Sequence, residues 1–173
     1  MKVYIYNNSN NDNPTYANRY DAGCDVRADF SRVSPDNPIK IYGGGGITFP
    51  NEVYSKTMLR LEPGARALIP TGIYTAIPKG YEIQVRPRSG WALKKGVGMC
   101  NSIGTIDSGY RSEIGVILIN HGLEDVWIED GERIAQFVLN KIEHMDWEEV
   151  SNLKELTEIG TNRGGGFGSS GTK

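Results

Sequence analysis

The residues best suited to chemistry gather in 100–120, CNSIGTIDSGYRSEIGVILIN. Asp107 offers a carboxylate, Tyr110 an aromatic ring, Arg111 a forked cation and Asn101 a carboxamide. A carboxylate can take a proton from a water, and a carboxamide can read a polar edge with both a donor and an acceptor. Ile103 and Ile106 on one side, and the apolar run 114–119 on the other, flank a Ser108-Gly109 turn. That pattern predicts a β-hairpin with its polar groups held at the tip of a rigid scaffold. A solvated hairpin tip would carry the same residues.

Three further stretches have suitable chemistry. In Arg86-Pro87-Arg88-Ser89-Gly90 a strand ends and a short helix is expected over residues 88–95. Ser89 and Gly90 at a helix start would offer free N–H groups to an anion, or Ser89 would serve as an ordinary N-cap. In Gly131-Glu132-Arg133-Ile134-Ala135-Gln136 two polar side chains stand in an apolar strand, so each needs a specific partner. Structural pairing is the expectation for Arg133, and Gln136 is left open. In Asp21-Ala22-Gly23-Cys24-Asp25-Val26 the small residues allow close backbone approach beside Asp25, which could equally bond its own turn.

The chain ends in NRGGGFGSSGTK. Its glycines free backbone N–H groups to face an anion, Arg163 adds a cation, and Ser169 and Ser170 add hydroxyl donors. Phe167 is an isolated aromatic that would gain from landing on a flat ring or an apolar groove. A disordered terminus has the same composition. Residues 166–173 are not a Walker loop, because Thr172 precedes Lys173 and no helix follows.

The remaining chain must position these groups. It has 173 residues, enough for one domain with a real core, with 19 basic and 21 acidic side chains and a net charge of −2. That balance offers no general field for polyanions, so direct nucleic-acid binding is not expected and phosphate chemistry must be local. Cys24 and Cys100 have no metal-ligand spacing and read as a reduced pair. With no signal peptide and no apolar run of about 18 residues, a cytoplasmic protein away from membranes is expected. Short apolar runs punctuated by Gly, Pro, Asn and Asp predict an all-β sandwich, barrel or jelly roll of about ten strands with one short helix. Tyr81, Ile83 and Val85 alternate with Glu82, Gln84 and Arg86, a half-buried strand. Residues 116–119 are apolar without alternation and are expected to be buried on both faces. Residues 147–150 are a further candidate strand. Residues 31–60, with Gly43 to Gly46, read as a long surface loop or irregular hairpin, either a passive insertion or an element that binds a partner or covers a site.

Taken in order, AGCDV, RPRSG, NSIGTIDSGYR, GERIAQ and RGGGFGSSG resemble the ordered motifs of the homotrimeric dUTPases. The resemblance implies a dUTPase-like β-jelly roll (β-clip) at 1–161. It also implies a mobile glycine-rich arm at 162–173 that closes a neighbouring subunit's site. The implied reaction is hydrolysis of dUTP to dUMP and pyrophosphate with Mg²⁺, which limits uracil in DNA and supplies dUMP for thymidylate synthesis.

Carried over, Asp107 would activate the water that attacks the α-phosphate. Tyr110 would exclude a 2′-hydroxyl. Asn101, with backbone at Gly104 and Ile106, would read uracil. Arg88, Ser89, Gly90 and Gln136 would hold phosphates, and Asp25 would support the Mg²⁺-triphosphate region or the subunit contact. Phe167 would stack on uracil, while Arg163, Gly168, Ser169 and Ser170 would close on the γ-phosphate end.

Three departures stand out: Ser112 where the family usually has glycine, an arm one residue short between Arg163 and Phe167, and a longer 31–60 region. Two alternatives are carried. A dCTP deaminase-like enzyme would need a glutamate where Ile117 stands, and a regulatory protein would use the fold to bind a partner through 31–60.

Overall fold

A computed structural model of the chain describes residues 1–162. It divides into two compact units, Met1–Ile142 and Glu143–Lys173. Within the first unit the strands are β1 (Tyr4–Asn7), β2 (Cys24–Arg27), β3 (Ile41–Tyr42), β4 (Gly45–Thr48), β5 (Met58–Leu61), β6 (Arg66–Ile69), β7 (Ile73–Ala76) and β8 (Tyr81–Pro87). The helix α1 (Ser89–Lys95) follows, then β9 (Val97–Met99), β10 (Gly104–Ile106), β11 (Val116–Asn120), β12 (Val126–Glu129) and β13 (Arg133–Lys141). They pair antiparallel into four sheets, with orders β1-β7, β10-β8-β13-β2, β3-β6-β11-β9 and β12-β5-β4.

The sheets share one core. Leu59, Leu61, Ile69, Ile114, Leu118, Ile128 and Ile134 are fully buried. Each such side chain stabilises the fold by about 1.5–3 kcal/mol relative to exposure. Alternation places them: β5 reads half-buried, buried, half-buried, buried, and β8 buries Ile83 and Val85 while Glu82, Gln84 and Arg86 face the other way. Asn120 is buried but satisfied, its Nδ2 donating to the carbonyls of Leu61 and Glu124 at 2.9 and 2.8 Å.

Several expectations change. Residues 31–60 are not a loop confined to the surface: of the two expected shapes they form the hairpin, β4 pairing antiparallel with β5, and they add β3, with Ile39 and Leu59 in the core. The glycine run belongs to this structure. Gly45 opposes Leu61 in the β4–β5 ladder at φ 134°, and a Cβ there would collide with the Arg60 carbonyl, so only glycine fits. The two arms of 100–120 do not form a hairpin ladder: apart from Cys100 N donating to the Ile117 carbonyl at 2.9 Å, β10 pairs with β8 while β11 pairs with β6 and β9. The polar turn between them is therefore a crossing between sheets. Along β11, Val116, Leu118 and Asn120 are buried but Ile117 and Ile119 are only half-buried, so one face packs fully.

In the second unit residues 147–150 are not a strand. A short helix, α2 (Leu153–Glu158), appears instead. Its start is a reciprocal cap: Asn152 accepts from Glu155 N at 3.0 Å, and the Glu155 carboxylate accepts from Ser151 Oγ at 2.7 Å and Ser151 N at 3.1 Å. Those bonds from Ser151 hold the Glu155 carboxyl below its ordinary value.

Candidate active site

Four of the five motif segments converge on one sheet. In the order β10-β8-β13-β2, β10 carries Gly104 and Ile106, β8 runs into Arg88, β13 carries Arg133 and Gln136, and β2 carries Asp25. Gln136 is the hinge of the arrangement, lying opposite Asp25 on one side and opposite Arg86 on the other.

One end of the sheet is a cationic cluster ordered by a single carboxylate. Asp25 Oδ1 lies 3.1 Å from Arg88 Nε, and Asp25 Oδ2 lies 3.0 Å from Arg133 Nη1. Arg88 Nη1 also donates to the Arg133 carbonyl at 3.1 Å. Gln136 Nε2 donates to the Pro87 carbonyl at 3.1 Å, and its amide oxygen lies against Gly23, where a Cβ would collide with it. Structural pairing of Arg133 is thus observed. Arg88, not Ser89, is the N-cap residue of α1, and no side chain caps that helix. Ser89 and Gly90 are exposed in its first turn. Two guanidiniums against one carboxylate leave a net positive charge beside these free groups, which suits an anion. Next to Asp25, the Cys24 thiol is pushed up by burial, with the Asp25 charge adding to the effect, so it stays protonated at neutral pH.

Asp107, Tyr110 and Arg111 lie beyond the far end of β10, while Asn101 precedes its start. Asp107 follows Ile106, which pairs with Ile83, so the strand continues toward Glu82 while Arg88 lies beyond the far end of β8. At about 3.3 Å per residue, Glu82 to Arg88 spans roughly 20 Å. The Asp107 and Arg88 groups of one chain are therefore not brought together. Asp107 is exposed, and its carbonyl accepts from Tyr110 N at 3.0 Å. Arg111 Nη1 staples the turn from within, donating to the carbonyls of Ser108 and Tyr110 at 2.7 and 2.8 Å. Tyr110, 39% exposed, donates from its hydroxyl to the Glu113 carbonyl at 2.8 Å. Asn101 lies over Gly104: a Cβ added at Gly104 would sit 3.5 Å from Asn101 Nδ2 and 3.2 Å from Val85 Cβ. Glycine there lets β10 pack closely against Val85 and Met99.

Sequence reasoning did not find Arg32 and Glu113. Arg32 Nη2 lies 2.8 Å from Glu113 Oε1 across 81 positions of chain, and no local pattern pairs residues so far apart. Arg163, Phe167, Gly168, Ser169 and Ser170 lie outside the described residues.

Among the described residues no three His, Cys, Asp or Glu side chains converge as a metal cage. Both oxygens of Asp25 are engaged by arginines. The residues present therefore fit a cation carried by a ligand's own oxygens, not one caged by protein. No helix among them is long and apolar enough to cross a membrane.

The fold is an all-β jelly roll shared with phage dUTPases. It matches a Staphylococcus bacteriophage 80alpha dUTPase bound to dUpNHpp, with TM-score 0.71 and 23% identity over 98% of both chains. It also matches the dUTPase of phage phi11 of S. aureus, described for its coordination of a structural Mg(II) ion, with TM-score 0.66 and 19% identity over 89% of this chain and 99% of that one. Sequence comparison is more specific. A family model described as dUTPase matches residues 52–171. A deoxyuridine 5'-triphosphate nucleotidohydrolase of Finegoldia magna is 41% identical over 171 residues, covering 99% of each chain. One of Rickettsia massiliae is 43% identical over 172 residues, covering 99% of this chain and 96% of that one. The chain belongs to the dUTPase family.

Proposed function

We propose that this protein hydrolyses dUTP to dUMP and pyrophosphate, which limits uracil in DNA and supplies dUMP for thymidylate synthesis in the cytoplasm. Asp107 accepts a proton from a water, the water oxygen bonds to the α-phosphorus, and the bond from that phosphorus to the α–β bridging oxygen breaks. The electron pair leaves with pyrophosphate. Tyr110 lies against the deoxyribose, and Asn101 reads uracil with backbone groups at Gly104 and Ile106. Arg88, Ser89, Gly90 and Gln136 hold phosphate oxygens, with Asp25 keeping Arg88 aimed. Mg²⁺ held by the triphosphate's own oxygens would supply charge neutralisation for the leaving pyrophosphate.

The observation that carries this reading is the separation of Asp107 from Arg88, roughly 20 Å along β8 of one chain. A triphosphate nucleotide needs both groups at once, so the site forms where the anion-binding end of one subunit meets the Asp107 end of another. A homotrimer supplies that arrangement. The arm 162–173 then closes the site, with Phe167 on uracil and Arg163, Gly168, Ser169 and Ser170 on the phosphate end. A deaminase acting on dCTP is disfavoured by Ile117, an apolar side chain at the position where that chemistry needs a carboxylate. A protein partner docking on 31–60 would be an addition to turnover.

The test is Asp107→Asn, which keeps size and polarity and removes the base. It is expected to bind dUTP with Mg²⁺ and to lose turnover by about two to four orders of magnitude. Turnover near the parent rate would show that another group takes the proton.

A further inference from the structure

The geometry points to Arg32 and Glu113 as positioning residues that set the Tyr110 ring and thereby the preference for a deoxyribose over a ribose nucleotide. The proposal rests on the reading of Tyr110 as the sugar contact.

The hydroxyl of Tyr110 donates to the main-chain carbonyl of Glu113 at 2.8 Å, so the ring is only as fixed as that residue. The Glu113 side chain fixes it. Its Oε1 accepts from Thr71 N at 3.0 Å, Gly72 N at 2.8 Å and Arg32 Nη2 at 2.8 Å. Arg32 is anchored in turn by Asp29, which is 1% exposed, with Nε and Nη2 at 3.3 and 3.2 Å from Asp29 Oδ2. The second oxygen of Asp29 accepts from Ser31 Oγ at 2.6 Å and Ser31 N at 3.2 Å. Burial would disfavour the Arg32 charge, but the interactions with Glu113, Tyr74 and Asp29 outweigh it and hold the guanidinium protonated.

The chain of contacts therefore runs from a buried carboxylate, through Arg32 and Glu113, to an exposed aromatic ring. The turn is braced at its other side by Arg111, bonded to the Ser108 and Tyr110 carbonyls. Between these supports the ring has little freedom. A ring that rejects one hydroxyl group by contact must be held to within about 0.5 Å, since a looser ring moves aside for the extra atom. Val33 and Pro38, from the same segment as Arg32, line a cleft of about 430 Å³ with Tyr110 and Glu113, so this segment and the ring share one wall.

The experiment compares kcat/KM for dUTP and UTP in the parent and in Arg32→Met, Glu113→Gln and Tyr110→Phe. Tyr110→Phe removes only the hydroxyl, and Glu113→Gln keeps shape, so both remain informative where Arg32→Met fails to fold. Each variant is expected to lower the dUTP/UTP ratio by roughly fivefold to tenfold, the effect of one well-placed hydrogen bond. Arg32→Met combined with Tyr110→Phe is expected to lower it no further than either alone, because both break one relay. A selective parent whose variants keep the parent ratio, or lose both substrates in parallel, overturns the relay. Equal hydrolysis of dUTP and UTP by the parent overturns the sugar reading of Tyr110, and the proposal with it.

Discussion

Arg88 Nε lies 3.1 Å from Asp25 Oδ1, and this contact joins the end of β8 to β2 across the intervening β13. Asp25 is 28% exposed and Arg88 25%, so the pair is partly shielded from water. The other carboxylate oxygen takes Arg133, whose side chain is 49% exposed. One carboxylate thus orients two cations.

Asp25→Asn should therefore act on substrate binding more than on turnover. We expect KM for dUTP to rise about tenfold with a smaller change in kcat, and stability to fall by about 1 kcal/mol. Steady-state kinetics and a urea titration measure the two effects. An unchanged KM would mean that Arg88 does not depend on Asp25 for its aim.

Residues 31–60 should behave as part of the core and not as an appendage. Leu59 is fully buried in β5, whereas Val53 is 80% exposed. Leu59→Ala is expected to cost about 2–5 kcal/mol and Val53→Ala no more than about 0.5 kcal/mol. Chemical denaturation of both variants checks this. Equal midpoints would mean that Leu59 packing adds nothing to stability.

A site completed between subunits predicts complementation. Asp107→Asn and Arg88→Met should each be nearly inactive alone. Refolded together, they should regain activity, because some interfaces pair an intact Asp107 end with an intact Arg88 end. Mixtures with no more activity than the separate variants would place both groups on one chain's site.

Much of this was legible in the sequence where local pattern decides structure. The alternation in β8 and the helix formers after Pro87 set β8 and α1 directly, and the motif residues Asp25, Arg88, Gln136 and Asp107 stood out by type. What pairs with what was less legible. The arms of 100–120 look like a hairpin because each is strand-like next to a turn, but their partners are chosen by β8 and by β6 and β9 far along the chain. Gly45 looked like a loop residue because its strand role depends on a carbonyl of Arg60 that only the fold brings near. Arg32 and Glu113 were invisible for the same reason: their meaning lies in a contact that local spacing does not encode.

The most direct test is pyrophosphate release with Mg²⁺ from dUTP, dCTP, dTTP and UTP, assayed side by side. Release from dUTP alone is the predicted result, and would support Asp107 chemistry with Asn101 and Tyr110 as selectors. Release from none of the four, or ammonia release from dCTP, would contradict the proposed reaction.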